Sequence, residues 1–139
     1  MPILKAIIKV LTSLKLTVVI LCFSVVVVFL GTVAQEPMGL KLAVDKFFKE
    51  FFIDSVSMQA ALGKCFQMFL GMQIDPIPQE RLISGGFPCF PGGYFIGSIL
   101  LVNLLAAYYS RFVFSWKKAG ILLTHFGIII LLVGQVLTD

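Results

Sequence analysis

Charge is scarce in this sequence. Only 13% of its 139 residues are Asp, Glu, Lys or Arg, while 59% are hydrophobic and the mean hydropathy is +1.03. That leaves too little polar material to cover a water-soluble globule of this size, so a bilayer must supply the apolar surroundings. Acidic residues are the scarcer sign, seven against eleven Lys and Arg, for a formal net charge of +4. In a chain this apolar the excess speaks to orientation in a membrane. No basic patch interleaved with aromatics marks a nucleic-acid partner. The three cysteines, Cys22, Cys65 and Cys89, fit neither a paired zinc spacing nor CxxC nor CxxCH. There is one histidine, and there is no nucleophile–base pair, paired carboxylates, phosphate loop or internal repeat. The residues therefore predict no self-contained catalytic site, and the chain reads as something other than a stand-alone enzyme.

What is abundant is uninterrupted apolar sequence. Residues 16–34 (LTVVILCFSVVVVFLGTVA) carry no charge, and as a helix they reach about 28 Å, close to the hydrocarbon thickness. The run Val25 to Val28 would suit a strand in water, but a lone strand in lipid leaves its backbone unpaired, so helix is expected. A cleavable signal peptide is the competing reading, because Lys5, Lys9 and Lys15 precede the run and Ala34 ends it. The run exceeds the usual h-region and further spans follow, so a retained helix is expected. A second span is predicted over 94–110 and a third over 119–137, joined by the eight residues 111–118 (RFVFSWKK). So short a link makes the last two an antiparallel hairpin.

Basic residues assign the sides. Lys5, Lys9 and Lys15 lie in 1–15, and Arg111, Lys117 and Lys118 lie in the hairpin link, so both segments are expected in the cytoplasm. The connection 35–93 holds five basic and six acidic residues and belongs outside, as does Asp139. Within it Leu40, Val44, Phe47 and Phe51 fall at helical spacing, predicting an amphipathic helix over about 39–52 that either lies on the membrane, docks on a partner, or packs over its own bundle. Residues 57–72 read as an interfacial helix or a re-entrant segment. The stretch 74–93, with Pro76, Pro78, Pro88 and Pro91, reads as loop. The expected fold class is thus an all-α membrane protein with three transmembrane helices and an outer amphipathic segment between the first two.

His125 lies three residues from the middle of the third span, where an ionisable side chain is costly and is by default a functional candidate. Three roles stay open for it: an axial ligand to haem iron, a proton relay, or a hydrogen-bonding tie between helices. The antiparallel hairpin brings Asn103 to nearly the same depth, which makes it a candidate partner of His125, and Ser24 is expected in the same layer. Gly120, Gly127 and Gly134 recur every seven residues as a packing seam, about 200° from His125. Cys65 and Cys89 would share the outer side, either as a disulfide or as free thiols, and Cys22 reads as an inert small hydrophobe.

The order of these elements resembles a known family. VNLLAAYYSRFVFSWKKAGILLTHFGIIILLVGQVLTD (102–139) is similar to the second and third spans of ResB-type cytochrome c biogenesis proteins: Asn103 to Leu105, Arg111, Trp116 to Lys118, Gly120, Thr124 to Gly127 and Gly134 match the pattern. LTSLKLTVVILCFSVVVVFLGTVAQ (11–35) resembles that family's opening span. The likeness covers the N-terminal three-span region, beyond which family members continue into a large outer domain and a further span. It implies a multi-pass subunit of a bacterial plasma (inner) membrane, working with a CcsA/ResC-type partner to carry haem b outward for attachment to apocytochromes c. It also implies that His125 is a haem-associated intramembrane ligand. The alternative from another class is a structural or docking subunit of a larger respiratory or electron-transfer complex. A permease fits poorly, since three spans without an inverted repeat offer little for alternating access.

Overall fold

A computed structural model describes residues 1–111 and 115–138; residues 112–114 of the expected link and the C-terminal Asp139 lie outside the described residues. The elements, in order, are α1 (Pro2–Leu11), α2 (Leu14–Met38), α3 (Leu40–Phe48), β1 (Phe52–Asp54), α4 (Ser55–Leu70), α5 (Gln79–Ser84), β2 (Pro88–Pro91), α6 (Gly93–Arg111), a 3-10 turn (Trp116–Lys118) and α7 (Ala119–Thr138). Three helices are long and apolar enough to cross a membrane, α2, α6 and α7, so the protein is an all-α membrane protein with one small two-stranded sheet. The chain divides into two compact units, one formed by Leu21–Ile96 and the other by Met1–Ile20 together with Gly97–Asp139.

The Leu21–Ile96 unit is built on the C-terminal half of α2. Val27, Leu30, Ala34 and Met38 are buried there, spaced along one stripe of the helix. The first span is therefore more than a lipid-facing rod over 16–34. It runs four residues further, and its second half is the core on which the following elements fold. Gly31 lies in the same stripe and makes room for α3: a Cβ placed on it would come within 2.8 Å of the Phe48 ring. Helix α3 buries Ala43 and Phe47 inside this unit, while Leu40 and Phe51, the ends of the expected apolar stripe, are exposed. The helix also stops at Phe48 rather than near 52. Residues 52–54 are drawn into β1, whose backbone pairs antiparallel with β2, Phe52 opposite Pro91 and Ile53 opposite Phe90.

The expected loop 74–93 is thus partly regular, holding α5 and β2. Prolines argued against a strand there. A two-stranded ribbon has an open edge on each strand, so Pro88 and Pro91 need not interrupt a ladder on both sides. Tilted aromatic pairs, Phe23–Phe90, Phe51–Tyr94 and Phe52–Phe95, with ring centroids 5.4 to 5.9 Å apart, fasten the ribbon to the helices of the unit. Segment 57–72 resolves as helix α4, which Asp54 caps at its start. It ends at Gly71, whose φ of +64° is the left-handed conformation that glycine adopts without strain.

The other unit holds α1, the start of α2, most of α6, the 3-10 turn and α7. Helix α1 falls in the 1–15 segment that was expected only as a cytoplasmic tail. Pro2 at its first turn suits a helix start, and Ile3, Leu4, Ile7 and Ile8 give it an apolar face beside Lys5 and Lys9. Helix α7 buries none of its residues, and nothing lies within 4 Å of a Cβ placed on Gly120, Gly127 or Gly134. The glycine seam is therefore open rather than packed within the chain.

Candidate functional site

The site is assembled from four pieces of the second unit. Helix α6 contributes Asn103, Leu104, Ala107 and Tyr108, at i, i+1, i+4 and i+5. The 3-10 turn and α7 contribute Lys118, Ile121, Leu122 and His125, at i, i+3, i+4 and i+7. Both sets are single helical faces, and both turn toward a cavity of about 290 Å³ that Thr12, Leu14 and Thr17 close from the α1–α2 side. The volume lies at the low end of small-molecule sites.

His125 and Asn103 both line this cavity, as their shared depth predicted, but no hydrogen bond joins them. Asn103 is buried, and its amide is taken up elsewhere. Thr17 Oγ1 donates to Asn103 Oδ1 at 2.7 Å, and Asn103 Nδ2 donates to the Leu11 carbonyl at the end of α1. An Asn side chain in lipid must find such partners, because an unpaired amide there is costly. The first-span partner in this layer is thus Thr17, seven residues before Ser24 on α2 and about 10 Å along its axis. The half-buried His125 turns inward on its own helix: Nδ1 lies 2.7 Å from the Ile121 carbonyl. A carbonyl only accepts, so Nδ1 is the donor in this bond, and in the neutral ring Nε2 is then the nitrogen with the lone pair.

Among the described residues no group of three or more His, Cys, Asp or Glu could hold a metal ion, and His125 is the one imidazole on this cavity. The residues fit one side of a haem. His125 Nε2 is a neutral imidazole donor whose other nitrogen is fixed by a backbone carbonyl, the usual arrangement of a metal-ligating histidine. Leu104, Ala107, Ile121 and Leu122 give an apolar wall. At about 290 Å³ the cavity is large enough for only part of such a group.

Sequence reading did not single out Thr17, Tyr108 or Lys118 for this site. Lys118 served to place the 111–118 link in the cytoplasm and as part of the family pattern, although the Lys118–Ile121–Leu122–His125 stripe is written at helical spacing. Thr17 had no comparable signal, since nothing in an all-apolar helix says which side meets α6.

The Leu21–Ile96 unit has a separate polar centre at Asp54. Its carboxylate accepts from Val56 N–H at 3.1 Å, Ser57 N–H at 3.0 Å, Ser57 Oγ at 2.7 Å and Gly86 N–H at 3.2 Å. Lys46 stands 3.8 Å away and also pairs with Glu50 at 3.3 Å. Burial pushes the Asp54 pKa up, but these hydrogen bonds and the Lys46 ammonium outweigh it and hold the carboxyl below its ordinary value. With its oxygens engaged, Asp54 is a cap and a cross-link, not a proton carrier. Partial burial and the nearby Asp54 charge raise the Cys89 thiol, whose sulfur donates to the Ile53 carbonyl at 3.5 Å. Cys22, Cys65 and Cys89 are all free, so the thiol alternative holds for Cys65 and Cys89. A raised pKa makes Cys89 a poor nucleophile.

No family model matches the chain, and neither a curated protein nor a solved structure does.

Proposed function

We propose that the chain is a ResB-like membrane subunit of a cytochrome c maturation complex, an assembly factor that handles haem b rather than an enzyme. The observation that carries this reading is His125, half-buried on the wall of a largely apolar cavity with Nδ1 tied to Ile121, which leaves Nε2 as a ready donor. Haem, when bound, supplies an iron that accepts this lone pair. The chain's own part is to orient the imidazole and to keep one face of the cavity free of carboxylates. A CcsA/ResC-type membrane protein supplies the rest of the haem surround, and apocytochrome c receives the product outside. By the positive-inside pattern the N-terminus is cytoplasmic and the C-terminus outside a bacterial plasma membrane.

A second reading, a docking subunit of a larger respiratory complex, is favoured by one observation, the open glycine face of α7 with no residue buried. A visible absorption spectrum separates the two. Protein purified in detergent after coexpression with a CcsA-type partner is expected to carry a Soret band that His125→Ala removes. A band of equal height in both proteins overturns the role of His125, and no band in either favours the docking subunit.

A further inference from the structure

The cation balance of the second unit points to a ligand that the haem reading does not use. The stretches 1–20 and 97–139 contain Lys5, Lys9, Lys15, Arg111, Lys117 and Lys118, and their single acidic residue is Asp139, which follows the last residue of α7. At this end of the helices there is no carboxylate to balance them, so their counter-anions must come from outside the unit. One of these cations, Lys118, lines the cavity, and among the described residues no carboxylate lines it with Lys118.

The cavity lining combines polar groups near helix ends with apolar residues further along the helices. Thr12, Tyr108 and Lys118 lie at helix ends. From Lys118 to His125 is seven residues, about 10 Å along the helix, with Ile121 and Leu122 between them and Leu104 and Ala107 opposite in sequence order on α6. The strongly exposed Tyr109 and Trp116 flank the same end of the hairpin. Exposed Tyr and Trp at the ends of spanning helices mark the headgroup level of a bilayer.

We infer that this cavity seats the phosphate headgroup of an anionic phospholipid from the leaflet on the side of the 111–118 link, with Lys118 as its counter-ion and Leu104, Ala107, Ile121 and Leu122 against its glycerol and upper acyl carbons. Basic pockets between spanning helices at this level are suited to such headgroups. Lipid and haem would lie against the same apolar wall and so would occupy the cavity in turn; the lipid site goes beyond the haem reading and needs no haem.

Trp116, the chain's single tryptophan, reports on it directly. The protein is placed in nanodiscs of phosphatidylcholine, and Trp116 fluorescence is followed as dibrominated phosphatidylglycerol or dibrominated phosphatidylcholine is added. In wild type the anionic lipid is expected to quench at a roughly tenfold lower mole fraction than the zwitterionic one. Lys118→Gln should cut that preference to about twofold, and Lys117→Gln should leave it near fivefold. Ala107→Leu keeps every charge while filling the cavity, and should also reduce the preference to about twofold. Equal losses in Lys117→Gln and Lys118→Gln, or full preference in Ala107→Leu, mean a diffuse surface charge and overturn the proposal, as does the lack of any preference in wild type.

Discussion

In the Leu21–Ile96 unit the chain packs on itself; in the unit formed by Met1–Ile20 and Gly97–Asp139, most of the helical surface is left to its surroundings. Phe47, Ile53 and Leu82 are wholly buried in the first, Gly31 admits an aromatic ring, and Asp54 is held by four hydrogen bonds and a lysine. In the second, the 20 residues of α7 bury nothing, and its one fully buried polar side chain, Asn103, is there to tie helices together. Part of the difference is charge: the connection between α2 and α6 carries charged side chains that pair with one another, as Lys46 does with Glu50 and Asp54, whereas lipid leaves apolar groups where they are and makes each polar one find a neighbour.

That contrast breaks first at Asp54. Removing it strips α4 of its cap and leaves Lys46 and the Gly86 N–H without their acceptor, so Asp54→Ala should destabilise the Leu21–Ile96 unit by about 2–4 kcal/mol. Amide exchange should quicken across that unit and stay unchanged at the cavity. The stabilisation also depends on acidity. Because the folded carboxyl titrates below the ordinary value of 3.8, its contribution is complete above that pH and is lost as the pH falls through the lower folded value. Asp54→Asn should flatten this acid transition; an unchanged transition would show that another carboxylate governs it.

A matched pair of glycines sharpens the comparison. Gly31→Val drives a side chain into Phe48 and should cost about 1–3 kcal/mol, while Gly127→Val, made where nothing lies within 4 Å, should stay within about 0.5 kcal/mol in detergent. Equal losses in unfolding experiments would erase the distinction between a filled and an open helix face. A further test is the polar tie. Asn103→Leu leaves the Leu11 carbonyl without its amide donor and Thr17 with only the Ser13 carbonyl, with a loss of about 1–2 kcal/mol, and the Thr17–Asn103 coupling in a double-mutant cycle should be about 0.6 kcal/mol. A coupling of zero would remove that bond from the account.

The three spans were legible because hydrophobic length is a property of the sequence alone, and α2, α6 and α7 cover the expected 16–34, 94–110 and 119–137 with added residues at their ends. What the first span packs against was not legible. Valines surround α2, so no polarity contrast announces that Val27, Leu30, Ala34 and Met38 form its buried side. The β ribbon was hidden by its prolines, and α1 by a short length that is marginal for a free helix. At the cavity, the meeting of Asn103 and His125 could be expected from depth, since antiparallel helices equate positions equidistant from their link. The bond from Asn103 to Thr17 could not, because it depends on how the first span is rotated.

The tie at Asn103 also has a consequence in time. Its partner Thr17 is made 86 residues earlier, a delay of roughly 4–17 seconds at a ribosomal rate of about 5–20 residues per second. Through that interval the Leu11 carbonyl at the end of α1 waits for the Asn103 amide while the rest of the chain is still being synthesised. Only when α6 enters the bilayer does its amide reach the Leu11 carbonyl and fasten the joint, so the attitude of the N-terminal helix is among the last things this protein decides.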